Sequence, residues 1–419
     1  MFFLKPLQKI LRFLARRILL KYQPSIIAVV GSIGKTSTKE ALYCVLRKKF
    51  KVRRNPANYN NEIGLPLAVI GQVRQARSFW GWLKICFRGF SLLFRKDKEY
   101  PRLLILEMAA DKPGDLLYLL DIIPSGLLKG VVLTGITPVH MEFYGNFEKL
   151  FQEKTIPLNY LKEDNFLAVN RDDCDWPRVR EKIKCPFLSY GLSWESDVRA
   201  EEISYGKEGI DFQLICKDKK FSLNFSNGLA DYQLYPLLAA VAVALFLGLD
   251  FEDIIEGLKG YKALPGRMNK LKGIRETVII DDSYNSSPVA ARKAVRTLMD
   301  LPFGKKRIAV LGDMLELGNY SQFAHQDLGR FLAEEKPDYF IAVGDKAKEI
   351  FEESRRKGFS REKSFYFKES EEAAELVKRI IEPNDVILVK GSRGICLEKL
   401  VKKIMAYPEE AESLLVKVF

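Results

Sequence analysis

The sequence predicts an α/β protein, with mostly parallel sheets divided between two successive units. Three observations carry this. Apolar runs that read as buried strands recur at 25–31 (SIIAVVG), 103–108 (LLILEM), 130–136 (GVVLTGI) and 166–170 (FLAVN). Helical segments lie between several of them, the pattern of parallel strands joined by crossover helices. A second series begins near Leu264, at 277–282, 307–313, 339–345 and 385–391. Each of these strands ends in Gly or Asp, where ligand-binding loops sit in such sheets.

The elements follow in chain order. Residues 1–24, MFFLKPLQKILRFLARRILLKYQP, contain no acid. Leu4, Leu7, Leu11, Leu14 and Ile18 fall on one helical face, with Lys5, Lys9, Arg12 and Arg16 nearly opposite. The basic residues recur too often for a spanning helix, which needs about 20 mostly apolar residues. The expectation is a helix lying in the headgroup region of a membrane; the alternative is a helix packed on the protein's own core. No small-residue cleavage site follows, so a signal peptide is not expected. After the first strand come a glycine-rich turn and a helix from Lys39 to Lys48. Residues 73–96 alternate Trp80, Trp82, Phe87, Phe90 and Phe94 with Arg74, Arg77, Lys84, Arg88 and Arg95. This stretch reads as a second membrane-facing helix, a lid, or a hairpin against the core. Residues 195–225 predict a small antiparallel patch, and 234–247 a buried apolar helix too short to span a membrane. The turn Leu264-Pro265-Gly266 is the expected boundary, giving segments 1–24, 25–264 and 265–419.

Composition narrows the function. With 47% hydrophobic and 29% charged residues, the chain has ample material for a core. Six cysteines without a CxxC pair fit neither a zinc site nor a disulfide framework, and suit a reducing cytoplasm. The formal net charge is +13. No nucleic-acid-binding motif accompanies it, so nucleic acid is not an expected partner, and the charge concentrates in the two basic segments above.

The strand 25–31 runs into Gly31-Ser32-Ile33-Gly34-Lys35-Thr36-Ser37 and then a helix. Glycine permits close backbone approach, and successive N–H groups at a helix N-terminus hold phosphates. Lys35 would reach the β- and γ-phosphates and the Thr36 hydroxyl would bind Mg²⁺. The longer phosphate-loop pattern has Gly where Val29 stands, so this is a GxxGK[ST] variant. Phosphoryl transfer also needs cations to neutralise developing charge. Glu107, at the end of a strand, is a natural metal carboxylate. His140, one of only two histidines, lies just past the next strand and reads as a metal ligand. Lys154, taken alone, is an ordinary helix lysine.

GSIGKTSTKE, NYNNEIGLP (58–66), LEMAA (106–110), HMEFYGNFEKLFQEK (140–154), NRDD (170–173), GRM (266–268), DDSYNSSP (281–288), LGDMLELG (311–318) with His325, and VKGSR (389–393) occur in one order. In this the chain resembles the Mur ligase family, and within it the type that adds D-alanyl-D-alanine to a peptidoglycan precursor. The resemblance implies a central ATPase domain and a C-terminal Rossmann-like domain that close on ATP. It implies an acyl-phosphate intermediate attacked by an incoming amine. Gly31, Ser32, Ile33, Gly34, Lys35, Thr36 and Ser37 would cradle the phosphates. Thr36 and Glu107 would hold one Mg²⁺ and His140 would ligate a second. Lys154 matches the family's carbamylated lysine. Arg267 would contact nucleotide phosphate, with Asp281, Tyr284 and Asn285 contacting nucleotide or ordering the cleft. Asn60 and Asn61 would meet the precursor; His325, Lys390 and Arg393 would lie near the amine substrate. The chain is read as a cytoplasmic monomer, working at the inner face of the membrane if the N-terminal helix touches lipid.

Three departures from the family pattern shape the expectations. Only about 25 residues precede the phosphate loop, where the family has a domain gripping the UDP part of the precursor. The acceptor is therefore expected to be held differently, as a lipid-linked precursor at the membrane. Tyr232-Gln233-Leu234-Tyr235-Pro236 stands where the family places adenine-contacting His and Asn residues, and Ser287 where Asn is usual. Two alternatives stay open: the same chemistry on another polymer, such as a γ-glutamyl chain or other wall peptide, and a non-catalytic membrane-associated nucleotide-binding protein.

Overall fold

A computed structural model describes residues 4–56, 59–72, 78–138 and 141–416. His140, Asn58, Arg74 and Arg77 lie outside them. The chain divides into two compact units. One comprises Met1–Glu202, Gln213–Ser222 and Leu234–Tyr261; the other comprises Ile203–Phe212, Leu223–Gln233 and Lys262–Phe419.

In the first unit, β1 (Ser25–Val30) is central. It pairs in parallel with β3 (Leu103–Glu107) on one side and β4 (Leu128–Leu133) on the other. β2 (Val52–Arg54) extends the sheet beyond β3; β5 (Phe166–Asn170) and β6 (Phe187–Gly191) extend it beyond β4, all parallel. β1, β3, β4 and β5 are buried on both faces, which is why they read as unbroken apolar runs. β7 (Val198–Gly206), β8 (Gly209–Cys216) and β9 (Lys219–Ser226) continue the order, with Ile203–Phe212 and the end of β9 from Leu223 counted in the second unit. Two-residue connections force successive strands of this meander to run antiparallel. The side-chain bonds Asn224 to Asp211 (2.8 Å) and Gln213 to Ser222 (2.9 Å) mark that register.

The N-terminal helix α1 (Leu4–Tyr22) corrects an expectation. Leu11, Leu14, Ala15, Ile18 and Leu19 are fully buried, with Leu7 packed against the same core. The face expected to enter lipid therefore packs inward, against α3 (Gly64–Ile70) and α4 (Phe79–Phe94). An amphipathic face buries against whichever apolar surface is available, and here the chain supplies one itself. On the polar side, Arg12 pairs with Asp121 and Arg16 donates to the Asp121 carbonyl (2.6 Å). Among the described residues, no helix is long and apolar enough to cross a membrane.

The helix after the phosphate loop, α2 (Lys35–Leu46), begins four residues earlier than periodicity suggests, and is followed later by α5 (Asp115–Leu120), α6 (Met141–Tyr144), α7 (Phe147–Thr155), α8 (Trp176–Lys182), α9 (Tyr235–Phe246) and α10 (Phe251–Lys259). α9 is the predicted apolar helix. It is buried from Pro236 to Ala244 and packs on α2, β5 and β6.

The second unit is a six-stranded sheet ordered β10-β11-β15-β12-β13-β14: β10 (Asn269–Lys272), β11 (Val278–Asp282), β12 (Arg307–Gly312), β13 (Tyr339–Val343), β14 (Ser364–Phe367) and β15 (Val386–Lys390). Only β10 runs antiparallel. Alternate residues serve opposite faces. Ile280, Ala309 and Leu388 enter the core under α11 (Pro288–Asp300), α12 (Ser321–Glu335) and α13 (Ala347–Arg356); Ile279, Ile308 and Ile387 enter the core under α14 (Ser370–Ile380) and α15 (Glu398–Ile404). All six cysteines are free thiols.

Candidate active site

The end of β1 turns sharply at Gly31, where φ is +139° and an added Cβ would lie 2.1 Å from Thr134 Oγ1. Only glycine fits there. Thr134, just after β4, ties the loop down by donating to the Ile33 carbonyl (2.6 Å), while Ser32 N–H donates to the Gly135 carbonyl (2.7 Å). Gly34 adopts the left-handed conformation and provides no side-chain cap for α2. The first turn of α2 thus presents backbone N–H groups rather than a capping oxygen, the arrangement that suits phosphate. Lys35 folds back over the loop, donating to the Gly31 and Ser32 carbonyls at 3.0 Å each. Gly31→Ala is expected to weaken ATP affinity at least about tenfold, because overpacking of this kind costs roughly 1–3 kcal/mol. Titration calorimetry with a non-hydrolysable ATP analogue checks it.

Parallel pairing sets Glu107 beside Val29, next to the loop. Its carboxylate gathers a cluster: Thr36 Oγ1 donates to Oε1 (3.1 Å), Asn60 Nδ2 donates to Oε1 (2.9 Å), and Lys39 Nζ sits 3.2 Å from Oε2. Lys39 is fully buried and also lies 3.6 Å from Glu40. Asn55, likewise buried, holds the backbone here: its Oδ1 accepts Glu107 N–H (2.8 Å) and its Nδ2 donates to the Glu107 carbonyl (3.0 Å). Sequence reading placed Asn60 on the precursor; the structure puts its amide on Glu107. Asn61 Oδ1 accepts Gly64 N–H (2.9 Å) at the start of α3.

Lys154 is buried near the C-terminus of α7 and donates to the Ala110 carbonyl (2.7 Å). Burial, and then the positive charge of Lys35, lower its pKa to about 7, against a smaller opposing pull from Asp111, Glu153 and Asp115. The adjacent Glu153 accepts N–H groups of Gly114 (2.9 Å) and Leu116 (2.8 Å) at the start of α5, which anchors α7 to the segment after β3. Lys39, Asn55, Thr134 and Glu153 escaped sequence reading. Only Lys39 carried a signal, being one helical turn after Lys35.

The fit of this site to a magnesium nucleotide rests on two features. A backbone cradle is closed to any side chain at Gly31, and the Thr36 hydroxyl already meets the Glu107 carboxylate. A hard cation that keeps waters and phosphate oxygens needs only one or two such protein ligands. Among the described residues, no group of three or more His, Cys, Asp or Glu is arranged to hold a metal ion by itself.

In the second unit, the turn at Gly266 (φ +68°) is stitched to the end of β11. Asp281 is fully buried and accepts Gly266 N–H (3.1 Å) and Ser283 Oγ–H (2.6 Å); burial raises its pKa to about 6. Asp282 accepts Met268 N–H (3.1 Å), and the Arg267 guanidinium lies 4.2 Å from the centre of the Tyr284 ring. Asn285 is exposed. Ser287, despite departing from the family's Asn, caps α11 through Ala290 N–H (3.4 Å). Tyr232 packs against the core of this unit, and Gln233 accepts Leu229 N–H (2.8 Å) and donates to the Met268 carbonyl (3.2 Å). That stretch ties backbone segments together.

Two residues expected near the amine substrate bond to groups of their own unit. His325 is fully buried: Nε2 accepts Met314 N–H (3.0 Å), so Nδ1 carries the proton and donates to the Ser321 carbonyl (2.7 Å). Both nitrogens serve the backbone. Lys390, nearly buried, is bonded to Asp282 (2.7 Å) and the Asn285 carbonyl (2.9 Å) and so orders that loop. Arg393 is one-third exposed and pairs with buried Glu398 at 2.7 Å.

His325 yields a pH prediction. Burial lowers its pKa below the ordinary 6.5, so the unfolded chain takes up a proton that the folded chain refuses. The stability His325 contributes is present above about pH 6.5 and is lost as pH falls towards the folded value. His325→Ala should cost about 2–4 kcal/mol at pH 7.5, and the gap from wild type should narrow by pH 5.5. Urea unfolding of both proteins at each pH measures this, and cancels the opposite contribution of Asp281.

Residues 89–244 match the Mur ligase middle domain, and residues 266–393 match the Mur ligase glutamate ligase domain. The UDP-N-acetylmuramoyl-tripeptide–D-alanyl-D-alanine ligase of Bacillus subtilis is 28% identical over 398 residues, covering 95% of this chain and 79% of that protein. The crystal structure of MurF ligase from Thermotoga maritima in complex with ADP superposes with a TM-score of 0.76 at 28% identity, covering 97% of this chain and 84% of that one. MurF from Acinetobacter baumannii gives a TM-score of 0.77 at 26% identity, over 93% and 79%. The chain belongs to the Mur ligase family, whose members are ATP-dependent peptide ligases.

Proposed function

We propose that this chain joins D-alanyl-D-alanine, or a closely similar amine, to the terminal carboxylate of a peptidoglycan precursor through an acyl phosphate. The single observation that carries the reading is the phosphate loop with Thr36, Lys39 and Asn60 gathered on Glu107, in a chain whose relatives are ligases of that name.

The chemistry follows from those groups. A carboxylate is a poor electrophile at neutral pH. Its oxygen attacks the γ-phosphorus of ATP, ADP departs, and the acyl phosphate carries a good leaving group. The neutral amine then attacks the acyl carbon, the tetrahedral intermediate expels phosphate, and the extra proton leaves the nitrogen. Lys35 and the N–H groups at the start of α2 neutralise charge on the phosphoryl oxygens. Thr36 and Glu107 would hold Mg²⁺, with His140 and a carbamylated Lys154 as ligands of a second ion; such ions supply Lewis-acid stabilisation of the transferring phosphoryl group. Carbamylation needs a neutral amine, and Lys154 with its pKa of about 7 has one in substantial fraction. In the second unit, Arg267 and Tyr284 are offered for nucleotide contact, and Arg393 for the amine substrate.

Mass detection of product tests the reading, using purified protein, ATP, Mg²⁺ and D-alanyl-D-alanine with either UDP-linked or lipid-linked muramoyl tripeptide. A product heavier by one dehydrated dipeptide supports it, and the productive carrier identifies the form of the acceptor. ATP turnover that depends on some other amine, with no D-alanyl-D-alanine product, would reassign the substrate.

A further inference from the structure

The side of α1 and α4 that faces away from the core has a character of its own. α4 exposes Trp80, Leu83, Phe87, Phe90 and Phe94 at 71%, 49%, 76%, 42% and 85%. Their spacing of three and four residues puts all five on one stripe over the whole helix. Its other face is core, with Ile85 and Leu92 buried and Gly89 against Leu14, where an added Cβ would be 2.9 Å from Leu14 Cδ1. The two helices run in the same direction. At the shared end, Lys21 Nζ donates to the carbonyls of Leu92 (2.8 Å) and Arg95 (2.9 Å), and Tyr22 Oη donates to the Arg95 carbonyl (3.0 Å). α1 adds exposed Ile10, Phe13 and Leu20 on its own outward side. Soluble monomers rarely leave so many large apolar side chains contiguous and exposed unless the patch meets something.

Charge selects the occupant. α1 carries six Lys and Arg residues, and Phe79 to Lys96 carry four, with no Asp or Glu in either segment. Of these, Lys5, Lys9, Arg16, Arg17, Lys84 and Arg88 are exposed. Two copies brought together through this face would oppose like charges. An anionic bilayer surface matches both features: aromatic rings enter the headgroup boundary while basic side chains reach lipid phosphates.

We propose that this outward α1–α4 face docks the protein in-plane on an anionic membrane surface, with the stripe from Trp80 to Phe94 as its apolar anchor. The proposal goes beyond the ligase reading and is independent of it. It also differs from the sequence expectation, because Leu11, Leu14 and Ile18 stay in the core and the lipid-facing residues are the opposite ones.

Flotation of the full chain tests it, on vesicles of equal parts phosphatidylglycerol and phosphatidylcholine, or of phosphatidylcholine alone. Wild type should float with the anionic vesicles, with binding that weakens as salt rises, and should stay behind with phosphatidylcholine. The triple variant Trp80→Ser, Phe87→Ser, Phe94→Ser should lose at least about tenfold in vesicle affinity. Its melting temperature and its turnover of soluble precursor should be unchanged. Wild type that ignores anionic vesicles, or a triple variant that floats equally well, overturns the proposal. So does sedimentation velocity showing a wild-type dimer that the triple substitution dissolves, which would make the face a contact between copies.

Discussion

Glu107→Ala should slow ligation sharply and also destabilise the first unit by about 3–5 kcal/mol, the usual cost of stripping the partner from a buried charge. The reason is the company this carboxylate keeps. Lys39 is fully buried 3.2 Å from Oε2, and Thr36 and Asn60 both donate to Oε1. Truncation leaves an ammonium, an amide and a hydroxyl with one acceptor fewer in a dry environment. Catalysis suffers separately, because the same carboxylate is the proposed Mg²⁺ ligand; a loss of about 10²–10³ in kcat is the scale for one preorganised electrostatic group. Urea unfolding reads the first effect and product formation the second. The double variant Glu107→Ala, Lys39→Met should recover much of the stability and none of the activity. A stable, inactive single variant would show that Lys39 does not depend on Glu107, and the account of the cluster would fail.

Lys154→Met should cost about 10²–10³ in kcat with little effect on ATP affinity, because the lysine's hydrogen bond goes to the Ala110 carbonyl. A pH test reaches further. With a pKa of about 7, the amine is mostly protonated at pH 6 and mostly neutral at pH 8, so the neutral fraction rises roughly tenfold across that window. If the neutral amine must take up carbon dioxide, the ligation rate of degassed enzyme should recover on adding bicarbonate, and faster at pH 8 than at pH 6. A ¹³C carbamate signal from labelled bicarbonate, present in wild type and missing from Lys154→Met, is the direct measurement. Activity indifferent to bicarbonate together with no such signal would leave Lys154 as a plain buried cation.

The same lysine shows where sequence reading runs out. In the sequence Lys154 is one more basic residue on an amphipathic helix, and only its match to a family motif distinguishes it. Its low pKa comes from burial and from Lys35, more than a hundred residues earlier in the chain, and no local pattern encodes that proximity. Lys39 on α2 is fully buried too. The phosphate loop was legible because its requirements are local: a strand, glycines at strained positions, Lys-Thr, then a helix. The buried strands were legible for the same reason, since parallel strands covered on both faces must be apolar throughout. Motif membership alone does not say whether a side chain such as His325 or Lys390 faces a substrate or the backbone of its own loop.

The N-terminal helix divides the two kinds of knowledge most sharply. Sequence alone established an amphipathic helix within residues 1–24, a strand and phosphate loop over 25–37, and an α/β class with mostly parallel sheets. It also established the charge and the residue types available for chemistry. Tertiary structure decided which apolar face is inside. The leucines of α1 went to the core, and the exposed stripe fell to Phe13 and Leu20 and to the aromatics of α4. It likewise decided that Asn60 and Lys39 converge on Glu107. Periodicity reports that a face is apolar, and the identity of whatever covers that face depends on contacts between residues far apart in the chain.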